Sequence, residues 1–340
     1  MASWTATGPV STTSTSSSAE PRRTGVLLAN LGTPASPSVA DVRAYLREFL
    51  ADPQVVRAPR WIWWPVLHGL ILPFRAPRSA ALYRRIWSAA GSPLLVHSRA
   101  QARALAERLG SGTPLALGMR YGEPGLESAL SELARAGCSR VLLLPLFPQA
   151  SGSTSGSLAA RAAQLARAQG LELAVVPPFH SQRAYIAALA KQVREAWPAG
   201  IVPRHVFSFH GVPEAYIRAG DPYLEHCRAT GRLLAAELGL PQERWSIAFQ
   251  SRFGPQRWLQ PYLEPHLAGL AAGEPQVVLA TPGFVADCLE TLEELGIRAR
   301  ESFRAAGGRE LVLVPCLNAD PGFVAALELI VREHLGSLGW

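Results

Sequence analysis

The chain has 340 residues, of which 48% are hydrophobic and 17% charged, so it is long enough for one large core or two domains and too apolar to be disordered overall. Its net charge of +7 comes almost wholly from scattered arginines. Their scatter argues against nucleic-acid binding and favours anionic small molecules or an anionic lipid surface as partners. Four widely spaced cysteines without a C-x-x-C pair argue against a disulfide framework or a zinc module and indicate a reducing cytoplasm.

The first segment, residues 1–24, is rich in Ser and Thr and contains no apolar stretch. Such a segment is neither a secretory signal nor a spanning helix. We predict a solvated tail, with a transit peptide as the open alternative.

Residues 61–74, W-I-W-W-P-V-L-H-G-L-I-L-P-F, form the longest apolar stretch in the early part of the chain. The stretch is too short to cross a bilayer and is interrupted by Pro65, His68 and Gly69. Three tryptophans in four residues predict a lip at a membrane surface or at a ligand pocket. A buried loop packed on the core is the alternative.

From residue 25 onward, short apolar runs alternate with segments of helical pattern. Such runs predict parallel strands covered on both faces. The eight runs are 26–32, 115–121, 141–147, 173–179, 205–210, 247–253, 277–284 and 311–317. We therefore predict an α/β fold of two Rossmann-like halves, each a four-stranded parallel sheet flanked by helices, with the active-site cleft between them. The predicted units are the halves 25–170 and 171–310, and a final strand and helix, 311–340, packed back on the body.

Nearly every run ends in a polar residue or a turn, and open parallel sheets bind ligands beside the carboxyl ends of their strands. His210 ends one run and is followed at once by Gly211, which makes it a candidate site residue, with a hydrogen-bonded structural histidine as the alternative. The motifs G-x-G-x-x-G and G-x-x-x-x-G-K-[ST] are absent, which argues against dinucleotide and P-loop nucleotide chemistry, and H-E-x-x-H is absent as well. Residues 149–157, Q-A-S-G-S-T-S-G-S, predict either an anion cradle of backbone N–H groups or a flexible turn.

Residues 281–296 predict a helix, with Thr281 as the cap, Pro282 in the first turn and Gly296 as the stop. At 100° per residue, one face of this helix is a stripe of acids within about 60° of one another, namely Asp287, Glu290 and Glu294. The stripe is either an ordinary solvated face or an acidic wall of the crevice that His210 faces.

Motifs along most of the chain occur in a fixed order: L-A-N-L-G-T-P (28–34), Y-R-R-I (83–86), G-S-P (91–93), M-R-Y (119–121), F-P-Q-x-S (147–151), S-F-H-G-V-P (208–213), G-D-P-Y (220–223), F-Q-S-R-F-G-P-Q-x-W-L (249–259) and P-G-F-V-A-D-C-L-E-T-L-E-E-L (282–295). Through these motifs the chain resembles the ferrochelatases from about residue 25 to its final helix. Members of that family insert ferrous iron into a porphyrin at the end of haem synthesis.

The resemblance implies a set of site residues. His210 matches the active-site histidine and Glu290 the carboxylate facing it across the porphyrin, both as catalytic residues and as metal ligands. Asp287 and Glu294 match an acidic line leading from the metal site, in which Arg298 replaces a further acid of the animal enzymes. Four residues match porphyrin-pocket positions: Leu31, Arg75, Arg120 and Tyr121. Core packing, surface charge and stacking are the alternative roles for these four.

The implied chemistry needs a bent macrocycle, two proton acceptors and a route for Fe²⁺. We predict that His210 accepts a pyrrole proton and transiently ligates the metal, while Glu290 assists metal delivery or the second deprotonation. Asp287 and Glu294 would conduct protons or metal. The opposite division of roles between His210 and Glu290 stays open.

The implied reaction converts protoporphyrin IX and Fe²⁺ into protohaem and two protons. The alternatives are coproporphyrin III, another divalent metal, or a non-catalytic porphyrin or haem carrier. No permanently bound cofactor is expected, and in particular no [2Fe-2S] cluster of the animal type, because Gly152 replaces one of its cysteines and the C-terminal extension is missing. We expect a cytoplasmic monomer that does not bind nucleic acid. Residues 61–74 would give it a peripheral contact with the inner face of the cytoplasmic membrane.

Overall fold

The computed structural model describes residues 22–197 and 203–340 and contains two four-stranded parallel sheets. The strands of the first sheet are β1 (Arg23–Gly32), β2 (Leu115–Tyr121), β3 (Cys138–Pro145) and β4 (Glu172–Val175). The strands of the second sheet are β5 (Arg204–His210), β6 (Trp245–Gln250), β7 (Gln276–Ala280) and β8 (Glu310–Leu313). The strand orders, β2-β1-β3-β4 and β6-β5-β7-β8, are equivalent, so the predicted pair of Rossmann-like halves is confirmed.

Helices connect the strands and cover the sheets. The α-helices are α1 (Val39–Ala51), α2 (Arg60–Val66), α3 (Leu72–Ile86), α4 (Pro93–Leu109), α5 (Leu126–Arg135), α6 (Ser157–Ala168), α7 (Arg183–Ala196), α8 (Glu214–Arg218), α9 (Tyr223–Leu238), α10 (Leu263–Ala271), α11 (Arg300–Ala305) and α12 (Pro321–Leu338). Three segments are π-helical: Leu67–Ile71, Gly152–Gly156 and Glu290–Ala299. A short 3₁₀ turn covers Gln242–Arg244.

The strands are apolar because both faces of each sheet are buried. In β1, Val26 and Leu28 pack into one hydrophobic cluster, while Leu27 and Ala29 pack into the cluster on the opposite face. The first of these clusters continues into the second half through Phe207 and helix α12. Helix α12 also packs on α4 and α7. One continuous core therefore joins the two sheets and fixes the cleft between them.

The observed sheets differ from two of the predicted domain boundaries. Strand β4 belongs to the first sheet, so residue 170 is too early an end for the first half, and β8 is the edge strand of the second sheet rather than part of a separate unit. Of the predicted tail, residues 1–24, the first 21 residues lie outside the described part of the chain. Its last two residues, Arg23 and Thr24, already belong to β1.

The tryptophan-rich stretch is helical. Helix α2, the π-helical segment and α3 follow one another without a break, and Leu72 N–H donates to the Leu67 carbonyl five residues earlier. This wider turn lies just before Pro73, which has no N–H to donate. Trp61 is 78% exposed and Phe74 60% exposed, so the alternative of a buried loop is wrong. We call this exposed apolar surface, residues 61–74, the lip.

The helix predicted over residues 281–296 begins later and extends further. It begins at Leu289, runs as the π-helix Glu290–Ala299 and continues directly into α11. Gly296 lies inside it beside the Leu313 side chain and does not end it. The helix ends before Gly307, whose φ of +98° belongs to the left-handed region that favours glycine.

Tertiary hydrogen bonds explain why the segment before Leu289 is not helical. The Tyr185 hydroxyl donates to the Pro282 carbonyl, and Gln101 Nε2 donates to the Val285 carbonyl over 2.8 Å. Those carbonyls would otherwise accept hydrogen bonds within the predicted first turns. The turn they form instead brings the chain to the floor of the cleft.

Candidate active site

The cleft lies where the strands of both sheets end and where α3 and the π-helix Glu290–Ala299 face each other. Its volume is about 1090 Å³, slightly above the roughly 300–1,000 Å³ of ordinary ligand pockets, so it has room for a large ligand. Residues of the first half, including Leu31 and Arg75, line one side, and residues of the second half, including His210, Glu290 and Glu294, line the other. Five of the eight predicted site residues thus share one cleft.

His210 is the last residue of β5, and its ring lies between two aromatic neighbours. Its Nδ1 is 2.7 Å from the Gly211 carbonyl oxygen, which can only accept, so Nδ1 carries the proton in the neutral ring. The lone pair of Nε2 is then available for a proton or a metal. The ring centroid lies 6.3 Å from that of Trp258 and 6.5 Å from that of Phe284. The histidine therefore lies in an aromatic pocket with Nε2 as the unprotonated nitrogen of its neutral ring.

Gly211 makes this turn possible. Its N–H donates to the Gln250 carbonyl over 2.8 Å, and a Cβ at this position would lie 3.0 Å from the same oxygen. The ends of β5 and β6 can thus approach closely enough to place Ser251 next to the site.

Glu294 is held by Ser251, which follows β6. The Ser251 N–H donates to Glu294 Oε1 over 2.8 Å and the Ser251 hydroxyl to Oε2 over 2.6 Å. Burial raises the pKa of Glu294, while the Ser251 hydroxyl and the charge of His210 lower it and the charge of Glu290 raises it. His210, Glu290 and Glu294 therefore act on one another electrostatically.

Ser251 has a φ of +64°, in the left-handed region that a serine rarely adopts. Such conformations persist only where the surroundings enforce them, and they concentrate at functional sites. Here the two hydrogen bonds to Glu294 provide that enforcement.

Glu290 faces three side chains of the first half. Burial raises the pKa values of Tyr45 and Tyr83, and the negative charge of Glu290 adds to both increases. Burial lowers the pKa of Arg75, and Glu290 opposes that change. The carboxylate of one half thus lies close to two phenols and a guanidinium of the other.

Arg75 has unused hydrogen-bonding capacity in the cleft. Its guanidinium stacks on the Phe253 ring at 4.3 Å, and its buried Nη1 has no hydrogen-bond partner. An unpaired buried donor is costly, so its presence in a ligand cleft points to an anionic group of the ligand as its partner.

Asp287 does not line the cleft formed by the described residues. It precedes the helix, and its carboxylate accepts from Asn318 Nδ2 over 2.7 Å and from the Thr291 hydroxyl over 3.0 Å. The predicted stripe of three acids assumed one α-helix through all of them. Because the helix begins only at Leu289, Glu290 and Glu294 face the cleft and Asp287 faces the turn after β8.

Arg120 and Tyr121 also lie outside the cleft lining of the described residues. The Tyr121 hydroxyl donates to Asp52 Oδ2 over 2.7 Å, Arg120 Nη2 donates to the same oxygen, and Arg120 Nε donates to the Ser157 hydroxyl over 2.9 Å. These contacts tie β2 to the end of α1 and the start of α6. The two residues therefore support the wall behind the cleft.

The serine-rich loop, residues 149–157, binds an anionic group through a backbone N–H, and this group is a carboxylate of the protein itself. Asp221 Oδ2 accepts from the Gly152 N–H over 2.9 Å and from the Ser151 hydroxyl over 3.0 Å. An acid of the second half therefore occupies the backbone N–H that was predicted to hold an anion. Ser153 and Thr154 of this loop line the cleft.

Sequence reasoning missed cleft residues that lie within quoted motifs. Tyr83 and Ser92, from Y-R-R-I and G-S-P, line the cleft, and Ser92 Oγ is 2.7 Å from Thr33 Oγ1. Tyr45 lies in a helix whose apolar periodicity predicts only core. The motifs could have indicated Tyr83 and Ser92, whereas no signal distinguished Tyr45.

The described residues, 22–197 and 203–340, contain neither a metal-ligand cluster nor a helix suited to cross a membrane. No group of three or more His, Cys, Asp and Glu side chains is arranged to hold a metal ion. No helix in these ranges is long and apolar enough to cross a membrane. The four cysteines are buried as free thiols.

The fold and the cleft define a class of α/β enzyme that binds its ligand between two parallel sheets and presents a histidine and carboxylates to it. The ferrochelatase family profile matches residues 23–335. A ferrochelatase of Aromatoleum aromaticum is 48% identical over 324 residues, covering 93% of this chain and 89% of that protein. One from Azoarcus sp. is 48% identical over 321 residues, covering 93% and 88%.

The chain belongs to the ferrochelatase family, and it is an enzyme of the lyase class that inserts metal into a tetrapyrrole in haem biosynthesis. Solved structures agree on the fold. SirB from Bacillus subtilis with Fe³⁺ has a TM-score of 0.54 at 12% identity, covering 92% of this chain and 95% of that one. The sirohydrochlorin chelatase SirB from Bacillus subtilis subspecies spizizenii with cobalt has a TM-score of 0.55 at 10% identity, covering 92% and 94%.

Proposed function

We propose that this chain inserts Fe²⁺ into protoporphyrin IX, giving protohaem and two protons in the last step of haem biosynthesis. The observation that supports it is the common cleft: Nε2 of His210 is available in a pocket that also holds Glu290 and is walled by apolar side chains of the first half, among them Leu31 and Trp63. A flat, largely apolar ring with two carboxylates suits such walls.

His210 accepts a pyrrole proton through Nε2 and transiently ligates the iron. Neutral imidazole is a suitable base near pH 7 and a suitable ligand for Fe²⁺. Glu290 assists metal delivery or takes the second proton, because its carboxylate lies on the π-helix that lines the same cleft as His210. A cleft that holds the macrocycle bent lowers the barrier by binding the transition state better than the flat substrate.

Glu294 continues the route for protons or metal behind Glu290. Its pKa is raised by burial, so it exchanges a proton more readily near neutral pH than an exposed carboxylate does. We leave Asp287 out of this route, because its carboxylate is taken up by Asn318 and Thr291.

Substrate carboxylates bind to the unpaired Nη1 of Arg75, with the hydroxyls of Tyr83 and Ser92 nearby in the same cleft. Leu31 contacts the ring. Arg120 and Tyr121 act behind the wall through Asp52 rather than on the ring.

Coproporphyrin III, with four carboxylates, is the second candidate substrate. The observation that favours it is that Arg57 and Arg252 also line the cleft, in addition to Arg75. The apolar lip and wall favour protoporphyrin IX.

The substrate assignment is tested by anaerobic insertion of Fe²⁺ into each porphyrin, followed by absorbance. We expect kcat/KM for protoporphyrin IX to exceed that for coproporphyrin III by at least about tenfold, since each uncompensated charge in an apolar cleft costs about 1.4 kcal/mol or more. The reverse ratio would assign coproporphyrin III. Arg75→Met should raise the porphyrin KM about tenfold or more, while Arg78→Met, an exposed arginine on the same helix, should not.

The enzyme is a cytoplasmic monomer without a permanently bound cofactor, and the lip contacts the inner face of the cytoplasmic membrane. Exposed Trp61 and Trp64 provide the apolar and aromatic surface for such a contact. The protein should co-sediment with vesicles containing anionic lipid, and Trp61→Ser/Trp64→Ser should not, whereas Leu233→Ser, also exposed but on α9, should behave as wild type. Equal sedimentation of the two variants would remove this part of the proposal.

A further inference from the structure

Glu293 is a carboxylate with no exposure to solvent, held between two arginines of different helices. Arg85 Nη1 of α3 lies 2.7 Å from its Oε1, and Arg298 Nε of the π-helix lies 2.8 Å from its Oε2. The Glu293 side chain is 0% exposed, while each arginine side chain is 42% exposed. One oxygen of the buried acid thus joins α3 to the π-helix, and the other holds an arginine of the π-helix itself.

The two helices joined by Glu293 are the opposite walls of the cleft. Helix α3 presents Arg75 and Tyr83 to the cleft, and the π-helix presents Glu290 and Glu294. Arg85 lies two residues after Tyr83, and Glu293 lies between the two cleft acids. A shift of α3 against the π-helix would therefore change the position of Glu290 relative to Tyr83 and Arg75.

Arg298 has a second acid within its electrostatic reach. Burial lowers the pKa of Arg298, but the hydrogen bond and charge of Glu293 raise it, and the charge of Glu294 raises it further, so the net shift is upward. Arg298 also lines the cleft. Without Glu293, the freed guanidinium would pair with Glu294 and occupy the carboxylate behind Glu290.

We infer that Glu293 and Arg85 are positioning residues for metal insertion, which set Glu290 against the α3 wall and keep Arg298 away from Glu294. Arg85 does not line the cleft formed by the described residues, and Glu293 borders the cleft with a side chain that has no solvent exposure and both oxygens held by arginines. Both residues therefore act through Glu290 and Glu294. The inference rests on the proposed roles of those two acids.

A second carboxylate of the molecule provides a matched control. Glu328 of α12 is bridged in the same way, by Arg108 of α4 over 2.6 Å and by Arg332 of its own helix over 2.9 Å. Glu328 is not part of the cleft formed by the described residues. Loss of either carboxylate removes a two-arginine bridge between two helices, but only one bridge joins the walls of the cleft.

The experiment compares Glu293→Gln and Glu328→Gln in kcat, in KM for porphyrin and Fe²⁺, and in melting temperature. We expect both variants to melt at a lower temperature than the wild type. Glu293→Gln should lose about 10-fold to 100-fold in kcat, with its KM for porphyrin within about threefold of the wild-type value. Glu328→Gln should keep kcat within about twofold of the wild-type value. A kcat for Glu293→Gln within twofold of wild type, or an equal loss in Glu328→Gln, would overturn the inference. The assay uses whichever porphyrin the wild-type enzyme turns over. An error in the substrate assignment would therefore show in the wild-type measurements, whereas an error in this inference would show only in the comparison of the variants.

Arg85 variants cover the case in which Glu293→Gln does not fold, and a double variant tests the role of Arg298 where Glu293→Gln does fold. Arg85→Gln breaks only the contact between the walls, leaves Arg298 on Glu293, and should lower kcat about fivefold or more, with partial recovery in Arg85→Lys. The double variant Glu293→Gln/Arg298→Gln should recover at least about threefold in kcat over a folded Glu293→Gln, because no guanidinium is left to pair with Glu294. Unchanged kcat in Arg85→Gln would overturn the role of the α3 contact, and no recovery in the double variant would overturn the role of Arg298.

Discussion

Replacing Ser251 tests how the second half of the cleft is built. Ser251→Gly and Ser251→Ala both remove the hydroxyl that donates to Glu294 over 2.6 Å, a hydrogen bond to a charged group that contributes about 1.5–3 kcal/mol. At the Ser251 φ of +64°, any side chain costs about 1–2 kcal/mol and glycine does not. We therefore expect Ser251→Ala to lose about 2 kcal/mol of unfolding free energy and Ser251→Gly about 1 kcal/mol, measured by urea denaturation at pH 8.

The same two variants report on Glu294. Its hydroxyl partner lowers the pKa of Glu294, so removing that partner raises this pKa further and leaves more of the acid protonated at a given pH. The acid limb of the kcat/KM profile should move to higher pH in both variants. An alanine variant as stable as the glycine variant would contradict the left-handed backbone. An unmoved acid limb would contradict a role of Glu294 in turnover.

Two more predictions concern stability. Burial and the stacked His226 ring lower the pKa of His180 from 6.5 to about 4. Because the unfolded chain binds this proton first, stability is lost as the pH falls from about 6.5 towards 4. His180→Gln should therefore make the melting temperature fall less steeply over that pH range, and an unchanged slope would contradict this. Leu295 is a fully buried residue of the π-helix Glu290–Ala299 that packs into the core of the second half, so Leu295→Ala should cost about 2–5 kcal/mol of unfolding free energy in denaturant. Leu329→Ala, at a position 43% exposed, should cost less than about 0.5 kcal/mol, and similar losses in the two variants would contradict this packing.

The sheets were predictable because each central strand is apolar on both faces. All eight runs form strands, four in each sheet, although β4 and β8 lie outside the residue ranges predicted for their halves. The run 173–179 pairs only as far as Val175, since Pro177 and Pro178 have no N–H for a ladder. The end of the first half was placed too early because the helical segment before β4 looks like a connection between domains.

The acid helix was not predictable in detail. Cap and stop signals at Thr281 and Gly296 are local, whereas the start at Leu289 depends on hydrogen bonds from Tyr185 and Gln101, which are distant in sequence. A π-helix has no sequence pattern comparable to the 3.6-residue period. The predicted stripe therefore included Asp287, which the structure directs to the turn after β8.

The site residues also divide into those that the sequence predicted correctly and those whose position depends on the folded structure. His210 and Glu290 were identified from motifs and occupy one cleft, since both follow strands of the second sheet. Arg120 and Tyr121 were also identified from a motif. The motif does not indicate whether a side chain faces the cleft or lies behind its wall. The bridge through Glu293 depends on an arginine of the first half and has no signal in sequence.

The most direct measurement of the central claim is anaerobic insertion of Fe²⁺ by the wild-type enzyme, His210→Ala, Glu290→Gln and His334→Ala. His334 is a matched control, because its Nδ1 lies 2.7 Å from the Ile330 carbonyl oxygen, as that of His210 does from Gly211, but on α12 away from the cleft. We expect His210→Ala and Glu290→Gln each to lose at least about 100-fold in kcat while still binding porphyrin, and His334→Ala to turn over as wild type. Turnover by His210→Ala at the wild-type rate would contradict the assignment of the proton acceptor.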